Sequence, residues 1–376
     1  MVFWRRRPID PGPVMLLEPA DGAVTAPLQR FRLVSEEEEA GADDAREETP
    51  ARGPGGAWWS PERLGIDRSQ PEPVVFRWLP PPGLRRAVAY DLLIGRDPEL
   101  SAPLAIQGIP QPLARVRHLF VDTDYYWKVV AVVRGEVVAV SPVHRFRTHP
   151  ALPRWLRVPE ITNVRDLGGW SVPGGRRVRQ GMVYRSSELN GHLALSPEGV
   201  DVLVREVGLK TDLDLRADAE EPAPALPAEW VRHITVPVLP YDRILDPEMR
   251  RAFARLFEIF AEPDAYPILM HCWAGADRAA TVSFMLHAAL GVQSPDLATD
   301  YELSSLSVWG VRSRHGPGFT ALVDALATFA ESPTDTVNVQ AVNYLRAAGV
   351  TDAVLDAIRG LLLETAPAPM PETRPW

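Results

Sequence analysis

Cysteine is almost missing from this chain: Cys272 is the only one among 376 residues. No intrachain disulfide can form, and no cysteine-based zinc cluster can be assembled. Lysine is nearly as scarce. Lys128 and Lys210 are the two, so 38 of the 40 basic residues are arginine. Together with 38 prolines this reads as biased codon usage, not as selection for phosphate contacts. No apolar run reaches 18 residues, which excludes a spanning helix. The opening MVFWRRRPIDPGP carries arginines with no apolar stretch behind them, so it does not read as a secretory signal. The expected compartment is therefore the cytoplasm, with secretion lacking a standard signal left open. An excess of basic charge is also missing. With 49 acidic against 40 basic residues the formal charge is -9, and no basic stripe marks a nucleic-acid binder.

What is present is ordinary globular composition, 46% apolar and 24% charged, at a length that suits two domains. Residues 14–149 read as β structure. The stretches at 74–80, 87–95 and 125–133 are rich in β-branched and aromatic residues and are bounded by Pro, Gly and Asp. Arg134-Gly135-Glu136 suggests a hairpin turn between two such runs. LEPADGAV (17–24), Phe76-Arg77-Trp78, AYDLLIGRDPEL (89–100), YYWKVVAV and VHRFRT (143–148) resemble a fibronectin type III domain. That resemblance implies an all-β sandwich, with Trp78, Tyr126 and Trp127 in its core and a surface open to a protein partner. An insert at 35–70 interrupts it. Its first part, SEEEEAGADDAREETPARGPGG (35–56), is acidic and then Gly/Pro-rich, too poor in large apolar residues to order itself, so a disordered loop is expected. Residues 1–13 and 367–376 read as tails.

From 151 to 366 strands and helices alternate, which predicts an α/β domain: a central sheet flanked by helices, with a helical C-terminal part. Residues 181–186, 210–216, 231–238 and 266–272 read as strands. Ser196-Pro197 opens a helix running to Gly208, and 249–262 is amphipathic at helical spacing. The last hundred residues read as mostly helical, the final helix running through GLLLE to Glu364.

The stretch YPILMHCWAGADRAATVSFML (266–286) carries the chemistry. An apolar strand ends at His271-Cys272, a five-residue loop follows, and Arg278 opens a helix. A loop entering a helix N-terminus aims successive backbone N–H groups at one point, and the helix dipole adds positive potential. The residues from Trp273 through Ala274, Gly275, Ala276 and Asp277 to Arg278 thus form a candidate phosphate cradle. Arg278 supplies a planar fork for two phosphate oxygens. The same field favours a Cys272 thiolate, a nucleophile placed beneath a bound phosphoryl group. No second cysteine is available to protect it from peroxide as an internal disulfide.

HCWAGADR resembles the signature of cysteine-dependent tyrosine and dual-specificity phosphatases. ITNVRDLGGW (161–170), VYRSSEL (183–189), TDLDLRADAE (211–220), DYELS (300–304) and 343–364 follow in the order of one bacterial branch, typified by the mycobacterial tyrosine phosphatase B. The resemblance implies hydrolysis of a phosphotyrosine protein or another phosphomonoester through a phosphocysteine, with no metal or cofactor. It implies Asp277 as general acid. Asp242, 30 positions before the cysteine with Asp246 nearby, is the alternative from the wider class. His271 is expected to orient the loop and tune the thiolate. Asn163, Arg165, Asp166 and Arg185 are expected to brace it.

Two departures bear on turnover. Ala276 stands where that branch carries a lysine, which weakens the case for highly anionic substrates such as phosphoinositides. Ala279 and Ala280 stand where a hydroxyl residue follows the signature arginine. Losing that hydroxyl's bond to the departing thiolate costs roughly 1.5–3 kcal/mol, or about ten- to a hundredfold in hydrolysis of the phosphoenzyme. Slow turnover is expected. A phosphate-binding pseudophosphatase or interaction protein, and a phosphatase of phosphoinositides or small phosphate esters, remain the rival readings.

Overall fold

Along Asp124–Val133 every second side chain from Tyr125 to Ala131 is buried, the period of a strand with one face on a core. This strand anchors the first of two units in the structure, a computed structural model that describes residues 12–33, 65–82, 88–217 and 223–368. The first unit takes residues up to Leu28 and Glu72–Ala151; the second takes Gln29–Pro71 and Leu152 onward. Residues 1–11 and 369–376 of the expected tails, residues 35–64 of the 35–70 insert, and Glu220 lie outside the described residues.

In the first unit, β1 (Met15–Glu18), β3 (Val74–Leu79) and β6 (Leu113–Val116) form one antiparallel sheet. A second sheet has the order β2 (Ala23–Val24), β9 (His144–Arg147), β7 (Asp124–Val133), β4 (Ala89–Gly95), β5 (Leu104–Ile109), with β8 (Glu136–Val140) also paired to β7. Arg134 and Gly135, both at positive φ, make the two-residue turn between β7 and β8 that the sequence suggested. The sheets face each other through aromatic side chains. Phe76 on β3 meets Trp127 on β7 edge-on at 5.0 Å and Phe146 on β9 at 5.6 Å.

The second unit is built on a mixed five-stranded sheet. Its order is β10 (Arg165–Asp166), β13 (Val183–Ser186), β16 (Ile268–His271), β14 (Thr211–Asp214), β15 (Arg232–Thr235). Only β10 runs antiparallel to its neighbour. β16 lies in the middle and is buried throughout, as a parallel strand covered on both faces should be. Around the sheet are α1 (Pro197–Asp201), α2 (Pro247–Phe260), α3 (Arg278–Leu290), α4 (Ser294–Glu302), α5 (Pro317–Ala327), α6 (Val337–Ala347) and α7 (Asp352–Leu362). α2 buries Met249, Phe253, Leu256, Phe257 and Phe260, one stripe at helical spacing, and leaves its arginines outward. α3 is buried on every side after Arg278, which makes it the core helix of the unit. Among the described residues no helix is long and apolar enough to cross a membrane.

Three expectations change. The helix opened by Ser196 continues from α1 as a π-helical turn at Val202–Glu206, and Gly208 follows at φ +71°. The final helix stops at Leu362. Leu363–Thr365 instead form β17, which pairs with β12 (Arg176–Val178) beside β11 (Ser171–Val172), and Glu364 holds Arg177 at 2.8 Å. A partner strand nearly 190 positions away overrides local helical preference there. Residues 65–70, expected within the disordered insert, are ordered parts of the second unit. Backbone N–H groups of Gly65 and Arg68 donate to the carbonyls of Val308 and Leu306.

Candidate active site

The central strand β16 delivers Cys272 to the carboxyl edge of the sheet, and the chain turns directly into α3. Ligands of open α/β sheets bind at that edge. Cys272 and Ala276 are buried, while Trp273, Ala274, Asp277 and Arg278 are half-buried. Gly275 has φ +66° and sits against β13: a Cβ there would lie 2.2 Å from the Ser186 carbonyl oxygen. Only glycine allows this close approach.

Three successive carbonyls of the loop are held from outside. The backbone N–H of Glu188 donates to Trp273 O at 2.8 Å, Asn163 Nδ2 donates to Ala274 O at 3.2 Å, and Arg185 donates through Nε and Nη2 to Gly275 O. In a planar trans peptide the C=O and the following N–H point opposite ways. Pulling these carbonyls outward therefore turns the N–H groups of Ala274, Gly275 and Ala276 toward the other side. Among the described residues those three N–H groups have no hydrogen-bond acceptor. Three such donors, followed by the first turn of α3 and Arg278, are an arrangement with the chemistry to hold an anion.

The braces form one buried network. Asp300 on α4 accepts from Arg165 Nε at 3.0 Å and from Arg185 Nη1 at 2.8 Å. Arg165 Nη1 also donates to Asn163 Oδ1 at 2.5 Å, which fixes the amide so that its NH2 faces Ala274 O. Two guanidiniums share one directly bonded carboxylate, so the cluster beneath the loop carries net positive charge. Burial and the Arg165 guanidinium push Arg185 down to about 10, and Asp300 and the neighbouring Cys272 oppose that shift. Arg185 thus stays charged at neutral pH.

His271 extends toward the other side of the sheet. Its Nε2 is 2.9 Å from Asp212 Oδ1, and the second Asp212 oxygen meets His233 Nδ1 at 3.0 Å. Burial acts against the charged imidazole, but the Asp212 carboxylate outweighs it and holds His271 above its ordinary value. Burial likewise pushes Asp212 up, and His271 then holds it well below the carboxylate range.

The two acid candidates differ sharply in place. Asp277, the residue before α3, accepts a bidentate pair from Arg312 (2.9 and 3.1 Å) and a hydrogen bond from the Tyr241 hydroxyl. Burial alone would raise its pKa; Arg312 outweighs burial and holds it below the ordinary value, so the resting carboxyl is ionised. Asp242 is exposed on the short helix Tyr241–Leu245, whereas its neighbour Tyr241 turns inward to Asp277. Asp246 pairs with Arg243.

Asp166 does not reach the loop. Its carboxylate takes Arg154 Nη1 at 2.7 Å and the N–H groups of Gly168 and Gly181, so it ties β10 to the turn before β13. Trp273 stacks on His192 with ring centroids 4.3 Å apart. Thr281 donates to Asp277 O and accepts from Tyr241 N, so its hydroxyl is engaged within the loop frame. Asp300, Arg312, Tyr241 and Asp212 escaped the sequence reading as functional residues. Asp300 stood in the DYELS motif and Asp212 in TDLDLR, but nothing local in either says which guanidinium or imidazole it meets.

Two consequences can be measured. Gly275→Ala forces a left-handed β-carbon, roughly 1–2 kcal/mol, into the Ser186 backbone, roughly 1–3 kcal/mol more. Hydrolysis of aryl phosphates, read as kcat/KM, is expected to fall about 30-fold or more with the circular dichroism spectrum unchanged. Asp212→Asn removes one partner of a buried ion pair, a loss of about 3–5 kcal/mol. Because Asp212 is held low, its contribution is present above about pH 4 and is lost as pH falls through its folded value. Because His271 is held high, its contribution is complete below about pH 6.5 and is lost as pH rises through its folded value. Urea titrations should therefore show the largest gap between wild type and variant near pH 5–6, shrinking in alkali. A gap that widens above pH 9 would contradict the pairing.

Comparison with known proteins agrees with this geometry. The tyrosine phosphatase family matches residues 156–364, more than half of the chain. A protein of Cupriavidus necator named "Putative tyrosine-protein phosphatase" is 32% identical over 166 residues, covering 38% of this chain and 59% of its own length. The chain thus spans about three fifths of that relative. Among solved structures, the core catalytic domain of the PP-IP phosphatase Siw14 from S. cerevisiae is 20% identical, covering 33% of this chain and 71% of that one, at a TM-score of 0.27. A Shewanella putrefaciens protein titled "Putative phosphatase (DUF442)" is 18% identical over 42% and 96% of the two chains at 0.26. A human fibronectin type III domain is 22% identical over 23% and 73% at 0.20. Likenesses that distant do not bear on the assignment. The family match over the unit that holds the loop does: the chain belongs to the tyrosine phosphatase family.

Proposed function

We propose that the protein is a phosphotyrosine phosphatase that works in two covalent steps through Cys272. The observation that supports this reading is the outward anchoring of three loop carbonyls, which turns three N–H groups to the opposite side of the loop that runs between Cys272 and Arg278. In the first step the Cys272 sulfur attacks phosphorus and the bond to the leaving oxygen breaks. The N–H groups and Arg278 hold the equatorial oxygens as charge builds on them. Asp277 gives its proton to the departing oxygen. In the second step water attacks phosphorus, Asp277 takes the proton, the S–P bond breaks and inorganic phosphate leaves.

The resting pair with Arg312 keeps Asp277 in the form the second step needs, a carboxylate base. The first step needs that pair loosened so that the carboxyl can carry a proton. Ala279 offers no hydroxyl to the departing thiolate and Thr281 is engaged elsewhere, so the second step is the slow one. The same two features favour the rival reading, a phosphate-binding module without turnover. The first unit, read as a fibronectin type III-like sandwich, serves in this proposal as a surface for a protein partner.

Rapid mixing with para-nitrophenyl phosphate in EDTA tests the mechanism. The expected trace is a burst near one equivalent followed by slow release, absent in Cys272→Ser. No release from either protein, with vanadate still bound by wild type, would establish the phosphate-binding module instead. The acid is tested by leaving group. In the burst phase, which reads the first step alone, Asp277→Asn should slow phenyl phosphate cleavage by about 10²–10⁴ yet barely affect an aryl phosphate whose phenolate leaves unaided, while Asp242→Asn leaves both bursts unchanged. The reverse pattern would transfer the role to Asp242.

A further inference from the structure

A buried serine from the N-terminal half of the chain stands directly behind the loop-bracing asparagine. Ser69 is 1% exposed and belongs, with residues 65–71, to the second unit. Its hydroxyl donates to Asp67 Oδ1 at 2.5 Å and accepts the backbone N–H of Asn163 at 2.9 Å. Thr162 Oγ1 is 3.3 Å away. A hydroxyl has one donor and two acceptor sites. With the donor given to Asp67, the Thr162 hydroxyl must give its proton to Ser69, so every site is filled.

Asn163 needs this hold. It has φ +60°, a left-handed conformation that costs a non-glycine residue energy and persists only where surroundings enforce it. Its side chain is the one that turns the Ala274 carbonyl out of the cradle. The same segment grips a second support. Gly65 and Arg68 bond the carbonyls of Val308 and Leu306, in the stretch that leads to Arg312, the partner of Asp277. Ser305 Oγ ties the two ends of that stretch by accepting from Arg312 N at 2.7 Å and donating to its carbonyl at 2.9 Å.

We propose that Ser69 is a positioning residue for the phosphate loop, acting through Asn163. The irregular segment that carries it comes from the first half of the chain, so the loop's geometry depends on residues outside the stretch that matches the family. This inference rests on the phosphatase reading above. A double-mutant cycle on the full chain tests it, with Ser69→Ala, Asn163→Ala and the double variant. Vanadate affinity and the aryl phosphate kcat/KM are read beside thermal unfolding. Ser69→Ala leaves the buried Asn163 N–H unsatisfied, and about a tenfold or greater loss in both readouts is expected. The double variant should be no worse than Asn163→Ala alone, and the loss should persist well below the unfolding temperature.

Equal vanadate affinity and kcat/KM within twofold in Ser69→Ala, with Asn163→Ala impaired, would overturn the inference. So would full additivity in the cycle. If Ser69→Ala does not fold, Asp67→Ala replaces it; Asp67 is only half-buried, and its removal frees the Ser69 hydroxyl to turn away from Asn163. That variant is expected to show the same coupling to Asn163 at smaller amplitude, and no coupling would be a failure. Wild type that neither binds vanadate nor gives a burst would instead sink the phosphatase reading itself.

Discussion

The planarity of the peptide bond does most of the work at this site. A loop of five residues cannot choose where its N–H groups point except by where its carbonyls are tied. Here the ties are one backbone donor after β13, one asparagine amide and one buried guanidinium. Each comes from a part of the chain far from the loop in sequence, and each is rigid for its own reason. Arg185 lies on a strand that pairs with β16 itself, so its distance from Gly275 is set by the sheet. Asn163 is clamped between Arg165 in front and Ser69 behind. Gly275 then lets the loop lie against Ser186 where any side chain would hold it off.

The buried charges follow the same logic. Guanidiniums are expensive to bury unless paired, and a pair is expensive unless every donor is met. Asp300 meets both Arg165 and Arg185, and the remaining donors go to Asn163, Ser304, the Asp300 carbonyl and the loop. One carboxylate for two cations leaves a surplus positive charge under the cradle, which suits a thiolate and a phosphoryl dianion. On the other side of β16, Asp212 and His271 form a second pair that is nearly neutral in sum. The positive charge nearest Cys272 therefore comes from the Arg185 side, while the His271 imidazole faces Asp212 and not the loop.

The proposed mechanism asks Asp277 to serve two opposed needs. Arg312 and Tyr241 hold it ionised, which serves a base and hinders an acid. A chemical step that alternates between the two must pass through a change in that pairing. The stretch carrying Arg312 is itself bonded to residues 65–68, so the acid–base pair and the loop brace meet in the same borrowed segment.

The strand YPILMHC, the turn glycine and the helix opened by Arg278 were legible because each depends on its immediate neighbours: an apolar run, a φ that needs glycine, a helix-forming run after the arginine. The strand at 125–133, rich in β-branched and aromatic residues, and the stripe of α2 were legible for the same reason. β17 was not, since its strand character comes from β12 and not from its own residues. Asp166 was grouped with the loop braces by its place in a motif, yet its carboxylate faces a glycine turn. The partners of Asp277, the carboxylate shared by Arg165 and Arg185, and the placement of Ser69 behind Asn163 were decided only in three dimensions. A hydrogen bond between residues 94 positions apart leaves no mark on either segment, because its energy depends on distance and angle. The sequence by itself determined the family and the strand–loop–helix that holds Cys272 and Arg278; the tertiary structure decided which carbonyls of the loop are tied and so which way its N–H groups turn.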